Sequence, residues 1–217
     1  VPLLKIYKQK HYVERQPGAI RNSFRRLGVT LKNVKNEKKI FLFLLAFFFF
    51  IDGVYTIIDM ATAYGTALGF DSTKLLLALL VTQIVAFPFA IIFGKLANCY
   101  RTERLIMICI GAYFGIAVFA IFLREQWQFW ILAVLVGMFQ GGIQALSRSY
   151  FAKIIPPEKS GEYFGLMDIC GKGASFLGTT VISLISQVTG HINIGVGSIS
   201  LFFVIGMIMF RMAAAEK

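Results

Sequence analysis

Charge is scarce in these 217 residues. Asp, Glu, Lys and Arg make up 15% of the chain, and only 11 residues are acidic. A soluble domain carries roughly 25%, so composition already argues against a water-exposed fold. Histidine is limited to His11 and His191, neither with Cys, Asp or Glu at ligand spacing, so no metal centre is expected. The three cysteines, Cys99, Cys109 and Cys170, are odd in number and read as small packing residues. No GxSxG, HExxH or phosphate-binding GxxxxGK[ST] occurs, so neither hydrolase chemistry nor direct use of ATP is expected. No cofactor is implied. Polar-alternating strands are also missing, which leaves helices as the spanning element.

What the chain has is apolar surface: 57% hydrophobic residues, 22 of them Phe. Six long apolar segments are expected to cross a membrane, at Ile40–Tyr64, Lys74–Leu96, Leu105–Leu123, Trp127–Phe151, Tyr163–Val188 and Ile192–Phe210. Each approaches the roughly 20 residues that the hydrocarbon layer demands. Short loops between them force neighbouring helices to run antiparallel. The fold class is therefore an all-α polytopic membrane protein, with residues 40–217 as the bundle and the lipid bilayer as its first partner.

The net charge of +11 is one-sided. Residues 1–39 hold 11 Lys/Arg and two Glu, whereas the remaining 178 hold 11 Lys/Arg and nine Asp/Glu. Such a distribution marks a juxtamembrane segment and not a nucleic-acid surface. Within it, Ile20, Phe24, Leu27, Leu31 and Val34 recur every three or four residues. They define an amphipathic helix over about 19–36 that lies on the membrane surface or binds a soluble partner. With a cytoplasmic N-terminus, 19 basic residues fall inside and two, Lys74 and Arg124, outside. The positive-inside rule then puts both termini in the cytoplasm, and a multi-pass protein of the cell membrane is expected. The chain opens on Val1-Pro2, without Met, which reads as part of a longer protein.

Ionisable groups in a span cost roughly 2.5–3.5 kcal/mol each to insert, so they need a reason. Asp52 and Asp59 share a face of the first helix, with Tyr55 and Thr56 beside them. Gln140, Gln144 and Arg148 form an i, i+4, i+8 row on the fourth. Asp168 and Lys172 form an i, i+4 pair on the fifth, as an internal ion pair or as pathway groups. Asp52, Asp59, Gln140, Gln144 and Lys172 are the candidate wall of a solute or ion pathway. Asp52 or Asp59 is the candidate proton or cation site, and a hydrogen-bonded structural role is the alternative. Arg148, Glu162 and Asp168 are candidates for an inner gate. Gly111/Gly115, Gly137/Gly141 and Gly161/Gly165 are GxxxG pairs suited to close helix contact. Pro88 is expected to kink the second helix. The polar load falls on the first, fourth and fifth helices, and the third and sixth cores carry no charge. That pattern predicts a 3+3 inverted repeat.

The loop Gly94-Lys-Leu-Ala-Asn98-Cys-Tyr-Arg101-Thr-Glu-Arg104 resembles the loop signature found in each half of major facilitator transporters. Asn98 stands where that signature has an acid, so the charge latch of the superfamily is not reproduced here. Phe50-Ile-Asp52-Gly53-Val-Tyr-Thr56, Gly141-Gly-Ile-Gln144-Ala-Leu-Ser147-Arg148-Ser149 and Glu162-Tyr-Phe-Gly165 with Gly171-Lys172 are similar to the bacterial family related to the fungal vacuolar amino-acid effluxer of autophagy. The resemblance runs from about Val1 to Arg211. It implies the C-terminal half of a twelve-helix secondary transporter, with residues 1–39 as its central cytoplasmic linker. It also implies a small polar solute, an amino acid first among them; alternating access is the expected mode, with Asp52 or Asp59 as the candidate for proton coupling. The implied partner is the N-terminal six-helix half, or a second copy if the half stands alone. A non-transporting scaffold or complex subunit is the competing reading.

Overall fold

A computed structural model describes residues 37–216, and the expected amphipathic helix at 19–36 lies outside them. The described residues form helices: α1 (Lys38–Ala67), α2 (Ser72–Cys99), α3 (Thr102–Ile121), α4 (Gln126–Ile154), a 3₁₀ turn at Pro157–Lys159, α5 (Ser160–Gly173), α6 (Phe176–Thr189), α7 (Ile192–Ser198) and α8 (Ser200–Ala215). They make six stretches long and apolar enough to cross a membrane, the fifth built from α5 and α6 and the sixth from α7 and α8. The chain is an all-helical, multi-pass membrane protein.

Two expected continuous helices are interrupted. At Ile199 the chain keeps helical dihedrals (φ −62°, ψ −24°), so α7 and α8 are nearly one helix. The interruption between α5 and α6 is a true break. Ala174 is extended, and Ser175 takes a left-handed φ of 72°, which is uncommon for a residue with a side chain. Pro88 sits inside α2, which is assigned as one helix of 28 residues.

Because lipid is as apolar as Leu, helices in a bilayer are held by close packing and buried polar bonds. α2 lies along α4 through small residues. A Cβ on Gly137 would stand 2.6 Å from the Thr82 carbonyl, and one on Gly141 would stand 2.8 Å from the Ala90 Cβ. Thr82 donates its hydroxyl to Ala78 O (3.0 Å) and across the seam to Ala133 O (3.2 Å). Gly111 and Gly115 make no comparable contact, so only one of the two apolar GxxxG pairs builds an interface among the described residues.

α1 is the centre of the bundle. Its most apolar window is 61% buried, against 22% for α2 and for the fifth stretch. At its Glu37 end, Phe43 stacks on Phe151 (5.4 Å between ring centres) and meets Phe210 edge-on (6.1 Å). At its Leu68 end, the Tyr64 hydroxyl donates to Ala120 O at 2.6 Å. The Phe richness of the chain is therefore partly spent on α1, whose ring contacts add shape-specific attraction to dispersion.

Candidate functional site

The break in the fifth stretch frees backbone amides at the start of α6, and Ser175 supplies no side-chain cap of its own. The acceptor comes from another helix. Asp52 of α1, fully buried, takes hydrogen bonds on Oδ1 from the Ser175 amide, from the Gly178 amide (3.3 Å) and from the Thr56 hydroxyl (3.5 Å). An anion here faces the positive end of a helix dipole, the favourable arrangement. Gly178 makes the approach possible, because a Cβ there would run into the Thr56 hydroxyl. The second carboxylate oxygen, Oδ2, is buried with no hydrogen-bond partner among the described residues. Asp52 thus sits behind the cavity wall, holding the break.

In front of the break lies a cavity of about 360 Å³ between α1, α4 and α5. Asp59, Gln144, Arg148, Asp168 and Lys172 all line it, with Tyr55 and Ser175 adding hydroxyls. Phe47, Ile51 and Met167 supply apolar wall. The lining is about half polar and half apolar, with charges of both signs converging on one space, as a site for a polar solute requires. Of the five candidate wall residues, the structure brings Asp59, Gln144 and Lys172 together and leaves Asp52 and Gln140 out. Gln140 is half-buried, and its side-chain oxygen has no partner.

Two carboxylates and two cations face this cavity, and they are not equivalent. Arg148 Nη2 binds Asp168 Oδ1 at 2.8 Å, joining α4 to α5 with both side chains about half exposed. Asp168 therefore pairs with Arg148 across the hairpin and not with Lys172 on its own helix. The planar guanidinium fork suits a carboxylate better than an ammonium does. Asp59 and Lys172 have no ion pair or hydrogen bond among the described residues, and both are exposed. Glu162 is half-buried on the first turn of α5.

The loop-signature residues lie elsewhere. Gly94, Asn98, Arg101 and Arg104 are exposed at the α2–α3 connection, on the Glu37 end of the bundle. Arg101 reaches Glu103 at 3.7 Å.

Ser175 and Gly178 are the functional positions that sequence reasoning missed. The available signal was Gly173-Ala-Ser175 inside an apolar run: small residues that leave a helix readily, then a hydroxyl residue of the type that starts one.

Residues 3–217 match the family described as vacuole effluxer Atg22 like. The chain is 45% identical over 216 residues to the uncharacterized MFS-type transporter YxiO of Bacillus subtilis, covering 100% of this chain and 50% of that protein. It is 26% identical over 219 residues to autophagy-related protein 22-2 of Aspergillus niger (90% of this chain, 35% of that protein). With autophagy-related protein 22 of Saccharomyces cerevisiae the identity is 30% over 176 residues (76% and 33%). The chain spans half the length of the bacterial relative and about a third of the fungal ones. It is a member of the vacuole effluxer Atg22-like family.

Proposed function

We propose that this chain forms one half of a secondary transporter that carries a small zwitterionic solute, of the amino-acid class, by alternating access. One observation carries the reading: a single cavity holds an unpaired carboxylate, Asp59, and an unpaired ammonium, Lys172, beside the closed Arg148–Asp168 pair. An amino acid presents the complementary charges. Its carboxylate would meet Lys172 and its ammonium Asp59, with Gln144 and Tyr55 serving the remaining polar atoms. The names of the relatives, an MFS-type transporter and the vacuole effluxer family, support transport as the activity.

Asp59 is also where a coupling proton would bind. It faces the cavity without an ion-pair partner among the described residues, whereas Asp52 Oδ1 is committed to two amides. Arg148–Asp168 serves as the inner gate, an exposed pair that water or a rocking motion opens at low cost. The outward surface of the fifth stretch is where a second six-helix half would close the cavity, in a 3+3 inverted-repeat arrangement. That half is the N-terminal part of the same protein, or a second copy of this one. The basic 1–39 segment favours the cell membrane with both termini cytoplasmic.

The test is counterflow of labelled amino acids in proteoliposomes holding the intact protein. Lys172→Gln and Asp59→Asn should each cut uptake at least tenfold, as expected when a charged partner is lost. Uptake of every tested amino acid at the protein-free level in the unmodified protein would end the proposal.

A further inference from the structure

A second cavity, of about 330 Å³, opens at the Glu37 end of the bundle, away from the cavity described above. It lies where the first turn of α1, the α2–α3 connection and the last turn of α4 meet. Three cations from these three places line it, Lys39, Arg101 and Lys153, against one carboxylate, Glu103. Among the described residues Glu103 pairs with Arg101 alone, at 3.7 Å, and the arginine side chain is 70% exposed. Such a pair neutralises little. Lys153 Nζ donates to a neutral partner, the buried Thr102 hydroxyl, at 3.1 Å. Lys39 has no hydrogen bond or ion pair among the described residues.

Three like charges around one hollow repel each other, and the one carboxylate in the lining, Glu103, leaves the cavity with a net positive charge. An anion seated between them removes that repulsion and gains charge-assisted hydrogen bonds. The wall that would hold it is firm. Tyr150 is buried and packs on Phe43 and Phe210, with ring centres 5.2 and 5.5 Å away.

The surroundings indicate what brings the anion. The cavity sits at the ends of spanning helices, where hydrocarbon gives way to water. On its α2 side, Tyr100 and, about two turns earlier, Ile92 are 59% and 44% exposed, a strip of apolar surface beside the cavity. A free anion has no use for that strip, whereas a lipid covers it with its acyl chains. Basic pockets between helix ends are sites for acidic headgroups. We propose that this cavity binds the phosphate of an anionic membrane phospholipid, with Lys39, Arg101 and Lys153 as its ligands and the acyl chains along α2. The proposal does not depend on the solute reading of the other cavity.

The experiment is a titration of phosphatidylglycerol into the intact protein held in phosphatidylcholine nanodiscs, with bound lipid read by native mass spectrometry. Lys39→Gln/Lys153→Gln is compared with Lys74→Gln/Arg124→Gln, which removes the same charge at the opposite end of the bundle. At about a fivefold loss per basic residue, the first pair should weaken phosphatidylglycerol binding roughly thirtyfold. The second pair should leave it within about twofold. Lys39→Arg/Lys153→Arg should keep binding, which separates loss of a ligand from loss of fold. Equal phosphatidylglycerol affinity in the two Gln pairs overturns the site. Competition by millimolar inorganic phosphate or glycerol 3-phosphate as strong as that by the lipid overturns the lipid assignment.

Discussion

Along α2 and α4, Gly137 and Gly141 bring two unbroken helices to backbone contact. Between α1 and the fifth stretch, Asp52 reaches across to amides that a helix break has freed. The first seam is nearly apolar, sealed by one threonine bond across it. The second is polar at its centre, contains a left-handed serine and keeps an unpartnered carboxylate oxygen. The difference separates two mechanical roles. Interlocked small residues resist sliding of α2 along α4. A seam held by a few directional bonds at a break has a second arrangement within reach, because the bonds exchange without repacking a core. The cavity lined by Asp59 and Lys172 lies against the second seam, with Ser175 of the break in its wall.

The contrast breaks most readily at the first seam. Gly137→Ile drives a side chain into the Thr82 carbonyl and Val85, and should cost about 3 kcal/mol. Thermal unfolding of the protein in detergent measures it, and an unchanged midpoint would mean that the seam is looser than described. Asp52→Ala comes next. It strands the Ser175 and Gly178 amides, at about 2 kcal/mol. Asp52→Asn retains an acceptor oxygen and should lose less than half of that. Hydrogen exchange at the start of α6 should rise in the alanine variant alone, and equal protection in both would remove Asp52 from its capping role.

Smaller effects sharpen the same comparison. Thr82→Val removes the one bond across the α2–α4 seam and should cost only about 0.6 kcal/mol, because packing carries that interface. Arg148→Gln should shift stability by less than about 0.5 kcal/mol, since the Asp168 pair is half exposed. Under the proposed transport function its consequence is kinetic: the variant should alter the rate of solute exchange while unfolding stays within error. A large drop in unfolding temperature would recast that pair as structural.

Much of this was legible in the linear chain. Apolar runs of 20 residues or more specify spanning helices, because an unpaired peptide group in hydrocarbon is too costly to tolerate. Gly137 and Gly141, four apart on an apolar face, signalled the tight seam. Asp59, Gln144, Arg148, Asp168 and Lys172 stood out because charge and amide groups do not enter a span without a partner or water. Asp52 stood out for the same reason, and its role is where the reading was least complete. Periodicity placed it on the Asp59 face, near mid-span. It carries no information about a helix break more than a hundred residues later that needed an acceptor.

The sequence by itself determined that the chain is helical and membrane-spanning, where its spans lie, and which few residues are too polar to be there by accident. Hydrophobicity and period are local properties, and the bilayer enforces them strictly. Tertiary structure alone decided which polar groups meet. It sent Arg148 to Asp168, left Asp59 and Lys172 open to one cavity, and placed Asp52 on the amides of Ser175 and Gly178. Those pairings join helices distant in sequence, and they follow from how the helices rotate and break on packing, which no local pattern encodes.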